Sequence, residues 1–152
     1  MATAEDAKLI LNLYELRREA TMRKARDWFV LGFHPQSAED VFKLFTDTDH
    51  PEYNAYFRMV ASYWDMAAAL VNNGALDSDL FFETSGEILG FWSKVEDVYP
   101  QLISPQMMGP AFLANVKKFI DSRPEAPERV ALIKQRFNEI AKRFAASQKA
   151  TS

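Results

Sequence analysis

Cysteine is absent from the 152-residue sequence, glycine and proline occur only five and seven times, and long hydrophobic runs are missing. The absence of cysteine excludes disulfide scaffolds, thiolate zinc sites, iron–sulfur clusters and cysteine nucleophiles. The longest apolar run is the six residues from Met66 to Val71, whereas a membrane-spanning helix needs about 20 apolar residues. We therefore expect no membrane span.

The charge balance also limits the classes of partner. A net charge of −3 and a pI near 5.4 provide no general attraction to a polyanion, so we expect no nucleic-acid partner. Glu5 and Asp6 occupy the region where a secretory signal would carry a basic segment and then an apolar one. This pattern predicts a cytoplasmic protein.

The remaining composition is that of an α-helical domain. The prolines fall at plausible helix boundaries, and strand-like alternation and hairpin signals are missing. We predict the all-α class, as a single-domain bundle of five to six helices over residues 1–146, followed by a disordered tail over 147–152. The most apolar helix, over about 52–73, is expected at its centre.

Capping residues mark where several helices begin. Thr3 and Asp6 form a capping pattern that predicts a long first helix, bent near Thr21, and Ser37 with Asp40 predicts a short second helix. Three further helices are predicted. One begins at Asp77 or Ser78 and ends near Tyr99, the second extends over about 110–122, and the third begins at Pro127.

A narrow polar strip extends along one side of the otherwise apolar helix 52–73. Its members are Asn54, Arg58, Ser62, Asp65 and Asn72. An arginine in such a helix is costly to bury unless a carboxylate pairs with it. Asp65 lies two turns away from Arg58, so the predicted partners are Glu83 or Glu87 on the next helix. The strip is either a structural ion-pair network or the lining of a ligand pocket.

The segment from Ser85 to Gly90 places two glycines four residues apart in a predicted helix. Each costs about 1 kcal/mol relative to alanine, which indicates close approach of another backbone, a kink or a bound ligand. Glu83 and Glu87 form a like-charge pair that calls for a nearby cation. Arg58, Lys94 or a metal ion are the alternatives.

Recognised catalytic motifs are missing from the sequence. It contains no phosphate loop, no nucleophile elbow and no dinucleotide fingerprint, and neither His34 nor His50 follows a glutamate at the spacing of a di-iron site. We therefore predict no catalytic residue, no metal site and no cofactor, and the balance is against an enzyme.

Two basic regions are candidate interaction surfaces. A cluster in the first helix has acidic neighbours at helical spacing and is interpreted as a solvated face; its members are Arg17, Arg18, Arg23, Lys24 and Arg26. The last helix carries basic residues opposite an apolar seam typical of an antiparallel bundle or a short coiled coil; the seam is Val130, Ile133, Phe137, Ile140 and Phe144.

Several short motifs resemble a bacterial family of uncharacterised helical proteins, a domain of unknown function. They are the run from Asn54 to Val60, then Tyr63-Trp64-Asp65, Gly74-Ala75-Leu76, Leu80-Phe81-Phe82 and Gly86-Glu87 with Trp92, preceded by Arg17-Arg18 and Trp28-Phe29. The resemblance covers about residues 14–98. It implies an all-helical fold and a bacterial source, and it supplies no catalytic role.

Two functions remain as hypotheses. The first is a non-enzymatic interaction or regulatory module, acting as a homodimer or binding a protein partner through its last helix, beside an exposed loop with Met107 and Met108. The second is a binder of a small anionic ligand, or an acid/base enzyme, that uses a polar pocket. The candidate ligand-binding residues are Asn54, Arg58, Asp65, Glu83 and Glu87.

Overall fold

The computed structural model describes residues 1–151, and all regular structure in that range is helical. Nine α-helices and one 3-10 turn follow each other there, which confirms the all-α class and a helical bundle but exceeds the predicted five to six helices. The helices are α1 (Ala4–Arg17), α2 (Ala20–Leu31), α3 (Ala38–Phe42), α4 (Glu52–Asn72), α5 (Ser78–Thr84), α6 (Glu87–Val95), α7 (Tyr99–Leu102), α8 (Ala114–Asp121) and α9 (Ala126–Ala150), with the 3-10 turn at Lys43–Phe45.

Helix α4 lies at the centre of the bundle, as its apolar circumference predicts. It packs against α2 on one side and α8 on another, while α9 packs on α6. Phe57 and Trp64 of α4 are each 1% exposed. The chain turns after α4 at Gly74, whose φ of +76° is a conformation that glycine adopts without strain.

The predicted amino-terminal caps are present in the structure. Thr3 and Asp6 form a reciprocal capping box at α1, and Ser37 and Asp40 form a second one at α3. Asp77 caps α5 by accepting a hydrogen bond from the backbone N–H of Leu80 at 2.8 Å. Local sequence therefore determines where these three helices begin.

The prediction of one long, bent first helix is wrong, because the helix ends at Arg17 and a new one begins at Ala20. The carboxylate of Glu19 accepts hydrogen bonds from the backbone N–H groups of Thr21 and Met22 and so caps α2. These hydrogen bonds hold the pKa of Glu19 below its ordinary value. A charged cap thus takes the place of the expected bend.

The predicted helix from Asp77 to Tyr99 is also divided, into α5 and α6, and the short helix α7 begins at Tyr99, the predicted end of that helix. Gly86 precedes α6 instead of lying inside a helix, and its added Cβ would be 3.6 Å from the Arg129 side chain. A Cβ on Gly90 would be 3.8 Å from the ring of Phe137. Both glycines therefore face side chains of α9 at ordinary contact distances, and the predicted close approach of another backbone is not observed at either position.

The carboxyl-terminal part differs from the predictions in three respects. Helix α8 begins at Ala114 and not near Pro110, and Met107 and Met108 are half-buried against the core, so the loop is not the exposed one expected. Helix α9 continues to Ala150, into the segment predicted as a disordered tail; Ser152 lies outside the described residues. The boundary at residue 146 remains a prediction.

Candidate functional site

The five candidate ligand-binding residues do not form one pocket. Asn54 and Arg58 are together on the outer side of α4, where Arg58 Nε donates to Asn54 Oδ1 at 2.9 Å. Asp65 faces α8, Glu83 is exposed on α5, and Glu87 faces α2. The predicted pairing of Arg58 with Glu83 or Glu87 is wrong, since Arg58 is exposed and has no need of a buried counter-ion.

Glu87 instead pairs with Arg26 of α2. Arg26 Nε donates to one carboxylate oxygen of Glu87 at 2.7 Å and Nη2 donates to the other at 2.6 Å. This two-bond arrangement ties α2 to α6. The hydrogen bonds to Glu87 also raise the pKa of Arg26 above its ordinary value.

Arg17 completes this cluster. Its guanidinium lies 3.8 Å from Glu87 and over the rings of Tyr14 and Trp64, while its backbone carbonyl accepts a hydrogen bond from Arg26 at 2.9 Å. Arg17 and Arg26 are 14% and 24% exposed, so the interpretation of the basic cluster as a solvated face is wrong for these two residues. Arg18 is exposed and pairs with Glu15, as that interpretation expected.

Asp65 acts as the amino-terminal cap of α8. One carboxylate oxygen accepts hydrogen bonds from the backbone N–H groups of Asn115 at 3.0 Å and Val116 at 3.1 Å, and the other accepts one from the Asn115 side chain at 3.0 Å. The negative charge also lies at the positive end of the α8 dipole. Because both carboxylate oxygens of Asp65 accept hydrogen bonds from α8, its role is structural.

Arg58 lies at the rim of an open groove of about 570 Å³ between α4 and the segment before α8. The groove is mainly apolar, and Phe45, Phe57, Met108 and Phe112 form most of its wall. Among the described residues, no carboxylate forms an ion pair with Arg58, and its one hydrogen bond is to an uncharged amide. The groove thus combines apolar surface with the guanidinium of Arg58, and Asp65, whose two carboxylate oxygens accept hydrogen bonds from α8, also lines it.

Lys94 of α6 is a second cation without a carboxylate partner in the described part of the chain. Its ammonium group donates to the backbone carbonyls of Val30 and Phe33, both at 2.7 Å, and lies 3.3 Å from His34 Nδ1. His34 Nε2 lies 3.1 Å from the carbonyl of Leu31, which assigns the ring proton to Nε2 and leaves Nδ1 as the acceptor. Burial lowers the pKa of Lys94 to about 8.

The last helix is buried only over its first half. Val130 is 2% exposed and Ile133 and Phe137 are half-buried, whereas Ile140 is 54% and Phe144 is 64% exposed. From Asn138 onward every described residue is exposed. We call residues 138–150 the α9 arm.

Positive charge is concentrated in the carboxyl-terminal segment. Residues 129–152 contain six basic side chains and one acidic side chain, for a net charge of +5. Residues 1–128 contain 12 basic and 20 acidic side chains, for a net charge of −8. A basic helix therefore extends from an acidic body.

Sequence reasoning pointed to Arg17, through the Arg17-Arg18 motif, but missed Arg26 and Lys94 as site residues. In a continuous helix Arg17 and Arg26, nine residues apart, would lie on opposite sides, and only the break after α1 brings them together. Lys94 was considered only as a counter-ion for glutamates. Its position at the carboxyl end of α2 depends on packing between distant segments, for which the sequence carries no signal.

Comparisons complete the description of the site. No helix within residues 1–151 is both long and apolar enough to cross a membrane, and no group of three or more potential metal ligands occurs in the same range. Searches of curated proteins and of solved structures gave no significant match. Residues 2–122, which include α1 to α8 and leave out α9, match the family described as "Domain of unknown function (DUF4760)". The chain belongs to this family, which confirms the expected membership of a domain of unknown function.

Proposed function

We propose that the protein is an interaction module whose α9 arm binds a protein partner with an apolar groove and an acidic rim. The observation that carries the proposal is the exposure of Ile140 and Phe144, at 54% and 64%. These side chains continue the seam that packs on α6 in the first half of the same helix. An amphipathic helix with an unpartnered apolar face is a common ligand of hydrophobic grooves.

The charges beside the seam support an acidic partner. Arg136, Lys142 and Arg143 lie on the exposed part of α9, and Glu139 is the only acidic residue after Glu128. Antiparallel pairing of two arms would bring the arginine-bearing flanks together, which opposes association of two copies. Complementary charge on a partner would instead speed association and set its orientation.

The test uses the full chain and three variants. Ile140→Ser with Phe144→Ser removes the apolar face, Arg136→Gln with Arg143→Gln removes flanking charge, and Leu132→Ser changes an exposed leucine on another side of α9. We expect quantitative affinity capture to recover a protein whose purified form binds the full chain and the Leu132 variant. The same protein should bind the charge variant more weakly and should not bind the double serine variant.

Two results would overturn the proposal. One is a purified partner that binds the double serine variant as tightly as the full chain. The other is a dimer, measured by size exclusion with light scattering, that the double serine substitution converts to a monomer. That second result would make another copy of this chain the occupant of the arm.

A second candidate function rests on the Arg58 groove. We infer that it takes a small amphipathic anion, with the carboxylate on Arg58 and the apolar part against Phe112, because a guanidinium without a counter-ion attracts a carboxylate. Octanoate and benzoate are suitable probes in a thermal-shift titration. Arg58→Met should fold normally and lose the shift, while Arg23→Met, also an exposed arginine, should keep it; equal shifts in both variants would contradict the inference.

A further inference from the structure

A cleft of about 340 Å³ lies where the first part of α9 crosses α6 and the segment after α2. It is separate from the Arg58 groove and from the exposed seam of the α9 arm. Its wall includes Lys94 and Ser93 from α6, His34 and Gln36 from the segment after α2, and Lys134 and Asn138 from α9. The lining also includes the carboxylate of Asp97 and apolar side chains such as Val98 and Phe137.

Lys94 gives this cleft its chemical character. Its ammonium group is held by two backbone carbonyls and one imidazole nitrogen, all of which are uncharged. The ring of Phe137 covers it from α9, with the centroid 4.8 Å from Nζ. This half-buried cation is therefore held by uncharged dipoles, and no carboxylate among the described residues forms an ion pair with it.

The three contacts of Lys94 are not equivalent. The distances to the carbonyl oxygens of Val30 and Phe33 are both 2.7 Å, whereas the distance to His34 Nδ1 is 3.3 Å. The carbonyl contacts anchor the ammonium group at the carboxyl end of α2, where the helix dipole favours a cation. The weaker contact with His34 is the one that an entering anion would replace.

Lys134 adds a second positive charge on the opposite wall. It pairs with Glu96 at 2.6 Å and with Asp97 at 3.0 Å, and Asp97 is itself 82% exposed. Part of the charge of Lys134 is therefore neutralised, and Lys94 remains the main attraction for an anion. Asn138 and Gln36 supply uncharged donors at the same cleft.

We propose that this cleft binds the phosphate group of a small phosphate monoester, with Lys94 as its principal ligand and Lys134, Asn138 and Gln36 as supporting donors. Lysine serves in proteins as a point charge for phosphate. The volume of the cleft exceeds that of a phosphate group, which leaves room for a small organic part beside Phe137. Neither the α9 partner nor the Arg58 ligand is needed for this inference.

The test follows individual lysines of the intact chain by NMR, with ¹³C-labelled lysine and inorganic phosphate as the probe at constant ionic strength. The sequence contains nine lysines, so the exposed ones report any non-specific effect of the anion. We expect the signals of Lys94 and Lys134 to shift and saturate, with half-saturation at about 1 mM, and the other lysines to stay unchanged. Lys94→Arg identifies the Lys94 signal.

Two variants provide a matched comparison. Lys134→Met removes a lysine that is paired with acidic residues inside the cleft, and Lys117→Met removes one that is paired with Asp121 outside it. The first should weaken phosphate binding at Lys94 about tenfold, and the second should leave it unchanged. The proposal is overturned if Lys94 shifts without saturation, if all lysines shift alike, or if both variants bind phosphate equally.

Discussion

Arg26 and Glu87, 61 residues apart in the chain, meet through two parallel hydrogen bonds of 2.7 and 2.6 Å. Arg26 also donates to the carbonyl of Arg17, at the last residue of α1. One guanidinium therefore joins α1, α2 and α6. The side chains of Arg26 and Glu87 are only 24% and 28% exposed, so water could replace few of the hydrogen bonds of this ion pair if it were broken.

Replacing Glu87 should destabilise the fold through this cluster. Glu87→Ala leaves Arg26 and Arg17 partly buried without a counter-ion, and we expect the free energy of unfolding to fall by about 2–3 kcal/mol. Urea unfolding measures the loss. Glu83→Ala removes an exposed carboxylate four residues earlier and should change stability by less than about 0.5 kcal/mol; similar losses in both variants would show that the ion pair adds nothing.

Asp65 should contribute to stability as a cap and not as a ligand. Asp65→Ala removes the acceptor of two backbone N–H groups and one amide group of α8, so we expect a loss of about 1–3 kcal/mol in urea unfolding. Asp65→Asn keeps one carbonyl oxygen and should lose less. Asp49→Ala, in an exposed loop, is the control, and an Asp65→Ala protein as stable as this control would contradict the assignment.

Two glycines should respond to alanine in opposite directions. At Gly90 the new Cβ makes an ordinary 3.8 Å contact with Phe137 inside α6, so stability should rise by about 0.5–1 kcal/mol. At Gly74 there is space for a Cβ, but a φ of +76° makes alanine strained and should lower stability by about 1 kcal/mol. Thermal unfolding of the two variants tests the pair, and a destabilised Gly90→Ala would mean that α9 lies closer to α6.

Lys94 should make stability depend on alkaline pH. Its pKa is about 8 in the folded protein and 10.5 as the ordinary value, so the unfolded chain binds more protons between these values. The contribution of Lys94 to the free energy of unfolding should therefore rise as the pH increases from about 8 towards 10.5, because the buried amine loses its charge. Urea unfolding across this range measures the rise.

Lys94→Arg is the control for this pH dependence, because a guanidinium stays charged throughout the range. The free energy of unfolding of this variant should therefore lack the increase that Lys94 contributes between pH 8 and 10.5. A direct NMR titration of Lys94 in the folded protein should give a midpoint near 8, and a midpoint equal to that of the exposed lysines would show that burial does not disfavour the charge.

Local signals predicted the helix starts and the central helix. Thr3, Ser37 and Asp77 cap the helices at which the sequence placed them, because a cap involves residues only two or three positions apart. The apolar circumference of α4 likewise led to its central position. These features are determined within one helix and its first turn.

Contacts between helices were not predictable in the same way. Glu87 was expected to meet Arg58 of α4, but the break between α5 and α6 directs Glu87 towards α2 instead. The apolar character of its helix predicts an interior position for Arg58, yet one side of α4 is exposed over several turns, at Arg58, Ser62 and Met66. Helical periodicity assigns residues to the sides of one helix, but it does not show which neighbouring helix covers each side.

The separation of charge between body and α9 gives the molecule a marked polarity that its net charge of −3 conceals. At separations of many ångströms the acidic body repels an acidic partner and the basic α9 arm attracts it. The partner therefore contacts the arm before it contacts the body. Added salt shortens the range of this steering to about a Debye length, roughly 10 Å at 0.1 M. The rate of association should then fall more steeply with ionic strength than the rate of dissociation rises.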